Sequence, residues 1–412
     1  MGKMNDITFK KTNGGMGRTA ASEDPISGLI FGGFGANTLT FGRDPGNLKG
    51  FDTIMNGSAA VAYIKTFHYV EQLAEAGIEW KEKGDGSLTT EEEAKNALFY
   101  HISEFFRMNK EGILYVMIKA GATAAAAGDV TVLQDYAEGK IRQCGVFNST
   151  LVTVAYLQTA LTALEENHKP MSVVVTYNGS EVTMDSLTGT SLASAGKCNV
   201  SVLIGCDGDA TLAANLGAYA NYGCIGTCLG AISKAAVHEC IAWVGNFPLG
   251  LKAPALFNGN LIKNVSTGDQ NLINDNRYIF VCTHVGNADN FFNDSHTLDE
   301  DTSDYAYIEN ERTIDKACRG IRANLLPYLN SPLKVDAETG KLDAPMVAFL
   351  ETTAGKALED MEKAGELSGY RAEIDPDQNV LATSQVEVIV KNVPMGVMRK
   401  VHVKIGFTTS LS

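Results

Sequence analysis

Short continuous apolar runs alternate along this chain with longer stretches of helical spacing, and that alternation predicts most of its elements. Residues 27–37 are apolar and glycine-rich around Leu29-Ile-Phe-Gly-Gly-Phe-Gly35, which reads as a buried strand followed by close-packed glycines. Residues 58–77 carry Val61, Ile64, Tyr69, Leu73 and Ala76 near helical spacing and are expected to form a helix. Thr89-Thr-Glu-Glu-Glu93 opens another helix, reaching about Met108, with acids in its first turn where the helix dipole favours them. From Gly112 the pattern is regular: apolar strands at 113–118, 142–147, 172–176 and 200–204, with helices between them, the first capped by Asp129, the second at 149–166 and the third at 184–195. Apolar strands separated by helices indicate a mainly parallel sheet covered on both faces, doubly wound if the crossovers are right-handed.

The later part reads differently. Residues 223–260 are rich in glycine, alanine and proline and carry a helix and then a crossing into another unit. A strand is expected at 277–283, then an exposed loop through Phe291-Phe-Asn-Asp294 and the acidic Asp299-Glu-Asp-Thr-Ser-Asp304. Two amphipathic helices follow. The first, in 305–328, sets Ile308, Ile314, Cys318, Ile321 and Leu325 on one side and Arg312, Lys316, Arg319 and Arg322 on another; the second, in 341–365, carries Met346, Leu350, Ala354, Leu358 and Met361. Strands are expected from Gly369, at 385–390 and at 399–405. The fold class is thus α/β, with a doubly wound sheet domain at 23–260 and an α+β domain at 261–396. Two period-two segments flank them as arms, at 1–22 and 397–412. Ile7 and Phe9 line one face of the first arm, and Val401, Val403 and Ile405 one face of the second. Neither arm has a local hairpin partner, and an unpaired strand must find a partner or remain an adhesive edge.

Charge sharpens this picture. The formal net charge is −14 over 412 residues. Residues 1–18 hold Lys3, Lys10, Lys11 and Arg18 against Asp6, and residues 385–412 hold Lys391, Arg399, Lys400 and Lys404 against Glu387. Each end is therefore +3, leaving −20 on the body between them. Basic ends on an acidic body suit docking of one copy's arm on another copy, with the 299–304 run as a plausible seat; lysines that merely protect an edge strand explain the ends equally well. An acidic body argues against nucleic acid as a main partner. No apolar run approaches the ~18 residues of a membrane helix, so no membrane insertion is expected. Residues 1–8 lack the apolar core of an export signal, which suggests synthesis and retention in a cytoplasm.

Candidate chemistry is sparse. Cys206-Asp-Gly-Asp209 follows the strand at 200–204, where open α/β sheets bind ligands. Asp207 and Asp209 could hold Mg²⁺ in a hydrolase or phosphatase, or Asp209 could simply cap the next helix. Cys224 and Cys228 could share a helix face, but no second Cys/His pair completes a zinc site; the eight cysteines read as buried free thiols. His238-Glu239 lacks the second histidine of a zinc protease, Gly33-Phe-Gly35 lacks the rest of a dinucleotide loop, and neither a Walker loop nor a nucleophile elbow is present.

An ordered set of segments over residues 253–412 resembles the contractile tail sheath proteins of Mu-like bacteriophages and phage-like injection systems. Phe291-Phe-Asn-Asp-Ser-His-Thr297 is similar to a Phe-Phe-Asn-Asp-Gly stretch of those sheaths, and Ala253-Pro-Ala-Leu-Phe-Asn-Gly259 to their proline-rich approach to it. Ser303-Asp-Tyr-Ala-Tyr-Ile-Glu-Asn-Glu-Arg312 resembles the segment that opens their long helix. Ile314-Asp-Lys-Ala-Cys-Arg-Gly-Ile-Arg322, a second helix, Leu367-Ser-Gly-Tyr370 and two strands around Val393-Pro394 follow in the same order. The resemblance implies a structural subunit with no catalysis and no cofactor. It implies arms that add strands to neighbouring copies, with Ile7, Phe9, Lys10, Lys11, Arg399, Lys400, Val401, Val403, Lys404 and Ile405 as contacts between subunits. The product would be a helical tube around an inner tail tube protein, bounded by baseplate and tail terminator proteins, in a virion tail or phage-like particle assembled in the bacterial cytoplasm. A tail tube or capsid protein is a third reading, although tube proteins are usually shorter and mostly β.

Overall fold

The computed structural model describes residues 23–34, 39–42, 47–121 and 123–408. The first arm, with Ile7, Phe9, Lys10 and Lys11, lies outside the described residues. Seven strands build most of the main sheet: β1 (Ile26–Phe31), β2 (Asp52–Asn56), β3 (Ala59–Phe67), β4 (Ile113–Lys119), β5 (Gln143–Ser149), β6 (Ser172–Tyr177) and β7 (Val200–Leu203). Beside it, β8 (Gly205–Asp207) and β9 (Pro254–Leu256) form a small antiparallel pair. β10 (Tyr278–Ile279) completes an eight-stranded order, β10-β7-β6-β5-β1-β4-β3-β2. From β10 to β4 every neighbouring pair is parallel, and β3 and β2 add an antiparallel edge.

The parallel strands are apolar on both sides because both faces are covered. Leu29 and Phe31 of β1 enter a core under the helices Thr90–Met108 and Ile225–Lys234. Ile26 and Ile30 enter the opposite core, under Ala127–Tyr136 and Leu151–Glu166. Thr89 begins the first of these helices with a full capping box, its hydroxyl accepting from Glu92 N while the Glu92 carboxylate accepts from Thr89 N. The helix Ile225–Lys234 lies almost backbone to backbone on that helix. A Cβ at Gly226 would stand 1.9 Å from His101 O, and one at Gly230 would stand 2.7 Å from Phe105 O.

Several local expectations need correction: the strand expected at 385–390 lies at Ile389–Pro394, residues 399–405 form no strand, and four more differ. Residues 58–77 are not one helix but the second strand of a hairpin and one short helical turn. Gly57-Ser58, with Gly57 at φ +63°, makes the tight turn between Asn56 and Ala59, and β3 then buries Ala62, Ile64 and Phe67. The spacing of Val61 and Ile64 imitated a helix, while the Gly57-Ser58 pair was the better signal. The helix expected over 184–195 ends at Gly189. Asp129 is not an N-cap but the third helical residue, reaching back to accept from Ala126 N at 2.7 Å. Residues 291–299 are not an exposed loop: β11 (Val281–Thr283) pairs with β12 (Asn290–Phe292), which turns Phe291 and Phe292 inward, and Asp299 is buried where it accepts from Gly196 N and Ser303 Oγ.

The second unit is small. The helices Ile308–Leu325 and Ala344–Lys363 pack on each other and on the antiparallel pair β13 (Leu367–Glu373) and β14 (Ile389–Pro394). Its core centres on Ala317, Leu358, Met361 and Leu367. The change of unit comes later than residue 260, because β10 is an edge strand of the main sheet and Leu298 N donates to Val200 O at 2.8 Å.

The helix Ile308–Leu325 meets the body through a charged face, not the apolar stripe its spacing suggested. Glu309, Glu311, Arg312, Thr313 and Asp315 are buried, while Cys318 is exposed. Arg312 donates to Ala235 O and Ala236 O at 3.2 and 3.3 Å, closing the C-terminal end of the helix Ile225–Lys234. Lys316 pairs with Asp24 and Glu366 at 2.6 Å each. Glu311 accepts from Asn199 Nδ2 at 2.6 Å. Burial, then Asp315 and Glu165 nearby, push its carboxyl up to about 8, and burial pushes Asp315 to about 7.

A folded-state value above the unfolded one means that folding favours the protonated acid, so stability is lost as pH rises from the unfolded value toward the folded one. Glu311→Gln keeps the acceptor for Asn199 and removes the charge. Its stability advantage over the parent is expected to be small at pH 5 and to grow toward pH 8, by up to about 1.4 kcal/mol per pH unit. Urea titrations of both proteins across that range measure it; a gap independent of pH would show that Glu311 is already ionised when folded.

Candidate assembly surface

Beyond Pro394 the chain runs as an extended segment with no strand partner among the described residues. Lys400, Val401, Val403, Lys404 and Ile405 are all exposed, Ile405 by 94%. Val401, Val403, Ile405 and Phe407 recur at every second position, so in extended chain they line one side. Four exposed apolar residues in line on an unpaired segment make an edge ready for another chain.

Arg399 differs from its neighbours. Its side chain is 25% exposed and is held by the chain's own body. Nε donates to Asp294 Oδ1 and Oδ2 at 3.0 and 3.1 Å. Nη2 donates to Glu309 and, at 3.4 Å, to Ser295 Oγ. The guanidinium lies 3.4 Å from the centre of the Tyr307 ring. Partial burial works against the Arg399 charge, but Glu309 and Asp294 outweigh it and raise its pKa above the ordinary arginine value. Glu309 is pushed up by burial, with Arg399 opposing. Sequence reasoning assigned Arg399 to a contact between copies; here it contacts its own chain. Its partners stand 105 and 90 residues away, and nothing in the local pattern connects them.

A second arginine supports the same ring. Arg277 is only 1% exposed; it donates to Thr297 O at 3.0 Å and also bonds Ala306 O and Asp301. Its guanidinium carbon lies 5.5 Å from the Tyr307 ring centre. Ser295 Oγ donates to Glu309 Oε2 at 2.5 Å.

The alternative site at Asp207 and Asp209 has other work. Asp209 caps the helix Ala210–Leu216, accepting from Leu212 N at 3.2 Å. Asp207 accepts from Asp209 N at 3.1 Å and from Lys252 N and Ala253 N at 2.9 Å each. Backbone donors occupy both carboxylates, so the hydrolase reading gains no support. No group of three His, Cys, Asp or Glu side chains suited to a metal ion occurs among the described residues. Cys144, Cys206, Cys224, Cys228 and Cys240 are buried thiols as expected, with Cys206 pushed to about 12 by burial; Cys198 and Cys282 are half-buried. Among the described residues no helix is long and apolar enough to cross a membrane.

Two family models cover most of the chain: DUF2586, N-terminal domain, over residues 68–296, and DUF2586, C-terminal domain, over residues 304–412. The chain belongs to the DUF2586 family. The two DUF2586 domains meet in the short segment that precedes the helix Ile308–Leu325, so both carboxylates that hold Arg399 lie close to their junction. Comparison with curated proteins gives no match. Among solved structures, the helical sheath of the anti-feeding prophage in its contracted state is 14% identical with TM-score 0.59, over 100% of both chains. The contracted sheath complex of the extracellular contractile injection system PVC is 12% identical with TM-score 0.57, over 100% of this chain and 99% of that one. A chain of the anti-feeding prophage baseplate is 13% identical with TM-score 0.59, over 99% and 100%. This DUF2586 chain therefore has the fold of contractile sheath proteins, with a mixed α/β architecture dominated by a parallel sheet.

Proposed function

We propose that the chain is the structural subunit of a contractile tail sheath. It polymerises into a helical tube around an inner tail tube and contracts to drive that tube through a cell envelope. The observation that carries this reading is the end-to-end agreement of fold with sheath subunits over the whole of both chains. The exposed apolar row on the C-terminal arm supports it, because strand addition to a neighbour covers such an edge with main-chain hydrogen bonds and gives it register. A head-to-tail contact of this kind, repeated without closing, builds a helical array. The N-terminal arm, with Ile7, Phe9, Lys10 and Lys11, joins a neighbouring copy in the same way. The domain organisation in this role is an α/β body, a smaller α+β unit and two arms. The partners are other copies of the chain, the inner tube protein, and baseplate and terminator proteins at the two ends. The place of action is a virion tail or phage-like particle assembled in the bacterial cytoplasm, and the role requires no catalysis.

Negative-stain microscopy of the purified chain tests this. Tubes or stacked rings are expected, and their formation should weaken as salt screens the basic arms from the acidic body. A monodisperse monomer at high concentration and low salt would sink the proposal.

A further inference from the structure

We propose that Asp294, Ser295, Tyr307 and Glu309 form a socket for one guanidinium, and that Arg399 of the same chain fills it as the anchor of the C-terminal arm. The inference rests on the sheath reading only for its consequence in assembly. The socket comes from two places: Asp294 and Ser295 just after β12, and Tyr307 and Glu309 at the start of the helix Ile308–Leu325. Two carboxylates, a hydroxyl and an aromatic face converge on one planar fork, an arrangement that suits arginine and not lysine.

The socket is incomplete without its guest. Glu309 is 2% exposed, and its ion pair among the described residues is with Arg399. A buried carboxylate left without a cation is costly, so the body is built to receive a charge it does not itself supply. The receiving surface is also held by other residues of the body. Arg277 also lies over the Tyr307 ring, 5.5 Å from its centre, and the Ser295 hydroxyl orients Glu309.

The path of the chain gives the anchor a purpose. β14 ends at Pro394 in the small unit, and Arg399 docks on the body five residues later. Five extended residues reach at most about 17 Å, so the anchor ties the arm's root to the body within a short radius. From Lys400 onward the described residues are exposed. Arg399 is then a positioning residue and not a contact between subunits. It fixes where the arm starts, and a fixed start raises the arm's effective concentration at a neighbour's edge.

Limited trypsin digestion of the full-length unassembled protein, read by mass spectrometry, tests the anchor through two neighbouring cleavage sites. Cleavage after Lys400, beside the anchor, is expected to be about tenfold slower than cleavage after Lys404, because a protease needs several unrestrained residues around the bond. Arg399→Gln and Glu309→Gln are each expected to remove that difference by speeding cleavage after Lys400 alone. The double variant removes both charges together and serves if the unpaired carboxylate harms folding. Arg399→Lys is expected to restore the difference only in part. Equal rates at the two sites in the parent, or a ratio unchanged in the single and double variants, would overturn the anchor.

Light scattering of the same proteins reads the positioning role, with tube growth expected to be about tenfold slower once the root is freed. Equal growth with a freed root would overturn that role. A protected Lys400 in a parent that forms no tubes would count against the sheath reading and leave the anchor standing.

Discussion

Deletion of residues 401–412 is expected to leave a folded subunit that forms no tubes. The described residues of this segment are exposed, so their removal should change the stability of the isolated chain by less than about 0.5 kcal/mol. In an assembly the same residues would be covered. Val401, Val403, Ile405 and Phe407 would each contribute about 1.5–3 kcal/mol if fully buried, enough together to shift association by several powers of ten. The cut is placed after Lys400 because Arg399 is bonded to Asp294 and Glu309. Deletion from residue 397 would also leave Glu309 buried without its cation, confusing a folding defect with a loss of assembly. Thermal unfolding should match the parent within about 2 °C, while microscopy should show monomers only. Tubes formed by the truncated chain would show that this arm is not the joint.

Arg277→Ala is expected to destabilise the subunit by about 3–5 kcal/mol. Asp301 is 73% exposed, so that ion pair contributes little. The weight falls on the Thr297 carbonyl, which would lose its donor in a buried setting, on the Ala306 carbonyl, which would keep only Thr297 N at 3.1 Å, and on the volume the side chain vacates. Arg277 also sits at φ +73°, in the left-handed region that costs a non-glycine residue about 1 kcal/mol or more, a conformation retained because the side-chain bonds hold it there. Urea titration gives the loss directly. Arg277→Lys should recover part of it, since one ammonium cannot serve all three partners at once. A loss below about 1 kcal/mol would mean that β11, β12 and the 297–306 segment hold one another without this arginine. The same substitution should expose the Lys400 cleavage site, because Tyr307 would lose its brace.

Legibility followed the range of the interactions. The parallel strands announced themselves because a strand buried on both faces is apolar throughout, as in Val173-Val-Val175 and Val200-Ser-Val-Leu203. The Thr89 capping box and the Asp209 cap were legible because their partners lie three residues away. The hairpin at 52–67 was misread because Val61, Ile64 and Leu73 fit a helix, although Gly57-Ser58 carried the correct signal. The face of the helix Ile308–Leu325 was legible only in part: Ile308, Ile321 and Leu325 pack into cores as expected, but its contact with the body was not legible. Hydrophobic spacing assumes that the buried side is apolar, whereas this helix buries Glu311, Arg312 and Asp315 against charges and carbonyls supplied by the body.

By itself the sequence determined the parallel strands and their covering helices, the apolar alternation at 401–407, and the ordered resemblance to sheath proteins. Each rests on periodicity or on order along the chain, which need no knowledge of what lies across space. Only the tertiary structure decided that Asp207 and Asp209 are occupied by backbone donors, that residues 291–299 turn inward, and that the joint between the units is charged. It also decided that Arg399 contacts its own chain. Lys400 and Arg399 are adjacent basic residues in the same strand-like run, yet one projects into solvent and the other is gripped by Asp294 and Glu309. The difference lies in side chains brought together from about a hundred residues away, where folding sets the field around a charge and local sequence does not.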